Sequence, residues 1–146
     1  RFMMRISIGY PPRTAEKEIL RGGSRRKEIY SVLPIMEKEE SVEIQAEIRN
    51  GVYVSDKILD YLLNVIEATR RSKYLVAGLS TRGALALIHT AKSDAYFKAR
   101  DYVTPENIKE LARYVIPHRV LFREEYENTD REEIIQSLLK DVPVPA

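Results

Sequence analysis

Between Ser55 and Arg71 the sequence runs Ser55-Asp56-Lys57-Ile58-Leu59-Asp60-Tyr61-Leu62-Leu63-Asn64-Val65-Ile66-Glu67-Ala68-Thr69-Arg70-Arg71. Ile58, Leu59, Leu62, Val65, Ile66 and Thr69 recur there at three- and four-residue intervals, which winds them onto one face of an α-helix. Ser55 supplies an N-cap hydroxyl, and Arg70-Arg71 place positive charge at the C-terminal pole of the dipole. A helix of this length with a single apolar stripe has to pack against others.

The same pattern repeats on both sides. C-terminal to this helix, Ser80 caps a segment carrying Leu85, Leu87, Ile88, Ala91 and Ala95. Thr104-Pro105 opens another, with proline at the first helical position and Ile108, Leu111 and Ala112 facing inward. Thr129 and Glu132 have capping-box spacing ahead of Ile134, Ile135, Leu138 and Leu139, and Pro143-Val144-Pro145 ends that helix. N-terminal to it, a helix is expected from about Met36 to Arg49, stopped at Asn50-Gly51. A shorter one is expected from a Thr14 cap through Leu20 to Gly22-Gly23, with a polar loop at Ser24-Arg25-Arg26-Lys27.

Only the first residues break the helical rhythm. Phe2, Met4, Ile6 and Ile8 alternate with Met3, Arg5 and Ser7, the period of a half-buried strand, until Gly9-Tyr10-Pro11-Pro12 interrupts it. One strand cannot make a sheet, and the chain opens on Arg1 with no preceding methionine. The expectation is therefore the C-terminal piece of a longer chain, its strand partners lying elsewhere. Val52-Tyr53-Val54 and Tyr102-Val103 each precede a capped helix; either they pair as a minimal two-strand clip or they are β-branched residues ahead of a cap without pairing. The expected fold class is mainly α: a bundle of five or six helices preceded by one orphan β-strand.

Composition narrows the chemistry. The 24 Lys and Arg nearly cancel the 22 Asp and Glu, leaving a net charge of +2, which disfavours a nucleic-acid scaffold. Arg25-Arg26-Lys27 and Arg70-Arg71 with Lys73 read as solvated loops beside the Glu-rich stretches at 37–40 and 124–127. Hydrophobic residues make up 44% of the chain, enough for a core. The lack of cysteine removes disulfides, thiolate metal sites and cysteine nucleophiles. Two distant histidines, His89 and His118, make no metal centre, and His89 is expected to be partly buried with a hydrogen bond. No apolar run approaches the roughly 20 residues needed to cross a bilayer, and no signal-peptide layout is present, so a cytoplasmic protein is expected. Adjacent carboxylates such as Glu39-Glu40 and Glu132-Glu133 point about 100° apart on a helix and are not catalytic pairs.

Five ordered pieces carry a family resemblance. Arg1-Phe2 with the alternating run and Gly9-Tyr10-Pro11 resembles the end of the nucleotide-binding core in MoxR-type AAA+ ATPases, where an Asp-Arg-Phe segment enters the last core strand and a Gly-Tyr-Pro hinge leads to the lid. Val52-Tyr53-Val54-Ser55, with the helix ending in Ala68-Thr69-Arg70, resembles the middle of that lid. Gly78-Leu79-Ser80-Thr81-Arg82-Gly83-Ala84-Leu85-Ala86-Leu87 resembles its sensor 2 motif. Arg100-Asp101-Tyr102-Val103-Thr104-Pro105-Glu106-Asn107-Ile108 and then His118-Arg119 continue the match. The departures lie at 21–35 and 73–77.

The resemblance implies that residues 1–10 are the last strand of the AAA+ core and the hinge, and that 11–146 are the C-terminal helical lid. It implies a parent that binds ATP and Mg2+ and assembles as a hexameric ring. Its work would be chaperone-like maturation or assembly of client proteins, including partners with a von Willebrand factor type A domain. Arg82 would be the sensor 2 arginine, whose guanidinium donates a forked pair of hydrogen bonds to the γ-phosphate. Arg1 would act as an arginine finger on a neighbouring subunit's nucleotide. Tyr10 and Pro11 would lie at the hinge where the adenine packs, and Gly83 would permit close approach to the nucleotide. The residues also admit plainer readings: a surface Arg82, a salt-bridged Arg1, Tyr10-Pro11 as a strand breaker, and His118-Arg119 as a core-edge or capping pair. No Walker A Gly-Lys-Ser/Thr, Walker B strand or sensor 1 asparagine is present, so this stretch alone should bind no cofactor and hydrolyse no ATP. Two other readings stand beside this one. One is a stand-alone helical module that binds protein or DNA, and the other is a lid from another AAA+ branch, such as a helicase or chelatase subunit.

Overall fold

The computed structural model describes residues 2–23, 29–126 and 128–145. Six α-helices appear among them: α1 (Arg13–Gly22), α2 (Lys38–Gly51), α3 (Asp56–Arg71), α4 (Thr81–Phe97), α5 (Pro105–Val115) and α6 (Arg131–Lys140). Two short strands, β1 (Leu75–Ala77) and β2 (Leu121–Phe122), pair antiparallel with Leu75 opposite Phe122. The fold is thus mainly helical, as the periodicity requires. The described residues of Arg1–Arg5 and Gln45–Ala146 form one compact unit, and those of Ile6–Ile44 form a second.

The core of the larger unit gathers the inner faces of α3 to α6. From α3 come Ile58, Tyr61, Leu62, Val65, Ile66 and Thr69, the expected stripe with Tyr61 taking the place of Leu59, which is 43% exposed. Helix α4 buries Gly83, Ala84, Ala86, Leu87, Thr90, Ala91 and Ala95, while Leu85, expected inside, is 54% exposed. Its inner face is made of small residues, which lets α5 approach with Ile108, Ala112 and Val115. Helix α6 closes the bundle with Ile134, Ile135 and Leu139.

The clip is present as a parallel bridge between Tyr53 and Tyr102. The Tyr53 N–H donates to Asp101 O at 2.7 Å, and the Val103 N–H donates to Tyr53 O at 3.0 Å. The β1–β2 pair went unforeseen because each strand is too short to show a period.

Three expectations are corrected. Residues 2–8 form no strand among the described residues, since nothing offers them a ladder. Instead the Arg5 N–H donates to Tyr114 O at 2.9 Å and Met4 packs half-buried on the core, while Ile8 is 95% exposed. Helix α6 is capped by Asp130 rather than Thr129: the Asp130 carboxylate accepts from the N–H groups of Glu132 and Glu133. Helix α1 begins behind Pro12, leaving Thr14 inside the first turn, and ends at Gly23 with φ 71°. The unit of residues 6–44 has no buried residue among those described. The expected polar loop at 24–27 lies outside the described residues.

Helix α4 ends in a Schellman motif. The Arg100 N–H reaches Ala95 O and the Ala99 N–H reaches Tyr96 O, both at 2.9 Å, with Ala99 at φ 54°. An L-residue there is strained, so Ala99→Gly should stabilise the chain by about 0.5–1 kcal/mol in thermal or urea unfolding.

Candidate functional site

The site is built where the chain turns from β1 into α4. Gly78 crosses the last turn of α3 so closely that a Cβ there would lie 2.6 Å from Arg70 N and Cα. Thr69, buried at the end of the α3 stripe, joins the two segments. Its hydroxyl donates to Ile66 O at 2.7 Å and accepts from the Leu79 N–H at 2.9 Å. Arg70 Nε adds a bond to Leu79 O at 3.2 Å. With the loop fixed on both sides, Leu79 enters the core and Ser80 is delivered as the N-cap of α4, accepting from the Gly83 N–H at 3.2 Å.

Arg82 stands in the first turn of this helix, exposed, with no hydrogen bond or ion pair among the described residues. No acidic residue occupies that turn. A cation at the positive pole of a helix is disfavoured by several tenths of a kcal/mol, so Arg82 and the free N–H groups together present an anion-attracting end. Gly83 is buried beside it. A Cβ at 83 would overlap Leu79 Cδ1 and lie 3.6 Å from Arg119 Cδ. Packing alone therefore calls for glycine here.

Arg119 and His118 are half-buried at the edge of the core. Both side chains converge on the Phe2 carbonyl: Arg119 Nη2 donates at 2.5 Å and His118 Nε2 lies at 3.1 Å. A carbonyl only accepts, so Nε2 carries a proton. The Nδ1 of His118 and the Nε of Arg119 are buried without a hydrogen-bond partner among the described residues. The structure thus brings Arg82, Gly83, Arg119 and the start of the chain to one region, a clustering that sequence spacing could not reveal. Tyr10 and Pro11 are exposed and belong to the other unit. Arg1 lies outside the described residues. His89, expected to be partly buried, is exposed on α4.

A second polar network braces the far half of α4. Asn107, fully buried, donates from Nδ2 to Asp94 at 2.6 Å, and its Oδ1 accepts from the Thr104 N–H at 2.8 Å and the Thr104 hydroxyl at 3.0 Å. Lys98 bridges Asp94 at 2.9 Å and Glu110 at 2.7 Å. Burial raises the Asp94 pKa, but the hydrogen bonds from Asn107 and Lys98 and the charges of Lys98 and Arg100 outweigh it. The net effect holds the carboxyl below its ordinary range. Among the described residues no cluster of acidic or histidine side chains is suited to a metal ion, and no helix is long and apolar enough to cross a membrane.

Residues 67–138, which hold the α3–α4 crossing, Arg82 and Arg119, match the AAA lid domain family. The helical bundle thus has the fold of an AAA lid. Over 99% of its length the chain is 31% identical to the protein YeaC of Bacillus subtilis and 29% identical to the chaperone MoxR1 of Mycobacterium tuberculosis, covering 46% and 41% of those proteins. The crystal structure of a candidate ATPase from Cytophaga hutchinsonii superposes with a TM-score of 0.83 at 34% identity, over all of this chain and 47% of that one. The chain is thus similar to a lid region of MoxR-like AAA+ proteins. It spans less than half the length of these relatives.

Asp94 makes stability depend on pH in a defined direction. Its folded pKa lies below the unfolded value near 3.8, so its contribution is present above that value and lost as pH falls through the folded pKa. In melting experiments Asp94→Asn should be less stable than the unaltered chain at neutral pH, and the gap should narrow as pH falls below 3.8.

Proposed function

We propose that this chain is the lid of a MoxR-like AAA+ ATPase that closes on ATP, senses the γ-phosphate through Arg82, and couples hydrolysis to chaperone-like maturation or assembly of other proteins. The observation that carries the reading is Arg82 itself: an exposed guanidinium without a partner among the described residues, at the positive end of a capped helix. Such an arrangement suits a phosphate oxygen, and the forked donors of arginine match it.

ATP would supply the γ-phosphoryl group and its negative charge, with Mg2+ held by parts of the parent outside this sequence. Within the chain, the Thr69–Leu79 and Gly78 contacts hold the α4 N-terminus rigid, so closure of the lid carries Arg82 as a fixed donor. Gly83 keeps the first turn slim and seated on Leu79. Arg1 would serve as a finger toward a neighbouring subunit's nucleotide, and Tyr10 and Pro11 as the hinge beside the adenine. The corresponding assembly is a hexameric ring working in the cytoplasm, with clients that include von Willebrand factor type A proteins. The name of the mycobacterial relative, a chaperone, supports that direction.

In the full-length protein, Arg82→Ala should leave ATP binding intact and lower turnover about a hundredfold, about 2.7 kcal/mol of transition-state stabilisation. If neither binding nor turnover changes, Arg82 is a surface residue, and a helical interaction module without nucleotide chemistry becomes the better reading.

A further inference from the structure

Away from Arg82, the most constrained contact is the pair of hydrogen bonds received by the Phe2 carbonyl. Three backbone or side-chain groups between Tyr114 and Arg119 hold residues 2–5. The Tyr114 carbonyl takes the Arg5 N–H, and the His118 and Arg119 side chains share the Phe2 oxygen. Met4 adds an apolar contact with the core between those two points. This stretch is anchored at both ends, yet it belongs to no helix or strand. The partners lie more than a hundred residues apart in sequence, so an isolated hydrogen bond of this kind would be loose. Two donors on one carbonyl, one of them charged, make it firm.

Arg119 also lies beside the first turn of α4. Its aliphatic stem runs beside Gly83, one residue from Arg82, close enough that a methyl group at 83 would lie 3.6 Å from Arg119 Cδ. Arg119 therefore spans two elements, the first turn of α4 and the backbone at Phe2.

We propose that Arg119, with His118 as its second donor, is a positioning residue that couples the Arg82 turn to the segment at Phe2–Arg5. It acts through backbone placement and touches no nucleotide. This rests on the proposed sensing role of Arg82 and adds a route by which nucleotide state reaches the chain that precedes the lid. Arginine is needed because its length covers Gly83 while its fork still reaches the carbonyl. Lysine would keep the stem and one charged donor.

The test uses the full-length protein with Arg119→Ala, Arg119→Lys, His118→Ala and Arg82→Ala, read by hydrogen exchange of the peptide covering residues 2–8 and by ATP turnover. Arg119→Ala should speed exchange at the Arg5 amide about tenfold or more and lower kcat about tenfold, with KM within about twofold. Arg119→Lys should recover part of both, and His118→Ala should give a smaller rise in exchange, about threefold. Arg82→Ala should lower turnover without loosening residues 2–8. Unchanged exchange in Arg119→Ala would show that the carbonyl is not held by this pair. Faster exchange with normal kcat would show a tether that transmits nothing. Either result overturns the proposal. If Arg119→Ala does not fold, the lysine and His118 variants carry the same two readouts. Should Arg82→Ala be silent while the Arg119 variants behave as expected, the sensor assignment fails and the mechanical link stands.

Discussion

Where the chain leaves β1 it passes over the last turn of α3 with no room for a side chain at position 78. That crossing governs the path of the loop and the placement of the helix beyond it. The contact puts the Leu79 N–H within reach of Thr69, whose hydroxyl is already committed to the carbonyl of Ile66. A buried N–H left without this acceptor would cost about 1–3 kcal/mol, at least as much as a typical helix cap of about 1 kcal/mol contributes. The loop therefore has one low-energy path, and that path sets where Ser80 stands. Once Ser80 is placed, the axis of α4 is given, and with it the direction in which Arg82 projects.

The packing of α4 extends the same logic. Its inner face offers glycine and alanine more than leucine, so each residue buries little area, and cohesion depends on close approach instead. Close approach leaves no slack for water, which makes polar groups in the interface costly unless they are paired. Asn107 meets that condition by satisfying Thr104 and Asp94 together, and so locks the start of α5 onto the far half of α4. One end of the helix is registered by a backbone crossing and the other by a side-chain network. Between them the helix has little freedom to rotate or slide, which on the proposed reading suits an element that presents the Arg82 guanidinium.

Much of this was legible from local signals. Ser55 and Ser80 announced their helices because a cap acts on N–H groups two or three residues away. The α3 stripe and the Thr104-Pro105 start were equally readable. Expectations failed where the deciding contact was distant or where two local choices competed. Thr129 and Asp130 both offer cap oxygens, and the carboxylate prevailed. Leu59 and Leu85 fit a helical stripe as well as Tyr61 and Ala86 do, and only the neighbouring helices choose between them. Residues 2–8 show a strand period, yet period alone provides no partner. Thr69 looked like one more position on the stripe, because its acceptor role depends on a loop ten residues later. The His118–Arg119 grip on Phe2 spans nearly the whole chain, and no spacing rule reaches that far.

The electrostatics of the α4 N-terminus tie the fold to its use. Cations belong at helix C-termini, as Arg70 and Arg71 on α3 illustrate. Helix α4 inverts the rule, with an exposed arginine and no carboxylate in its first turn. Nearby, the Arg119 guanidinium has only a backbone carbonyl as its acceptor among the described residues. None of these charges is neutralised by the described residues, so the site carries a modest unfavourable self-energy that an arriving anion would relieve. On the proposed reading this is the functional property: Arg82 has no acceptor among the described residues, so a closed state with phosphate at that helix end would be stabilised.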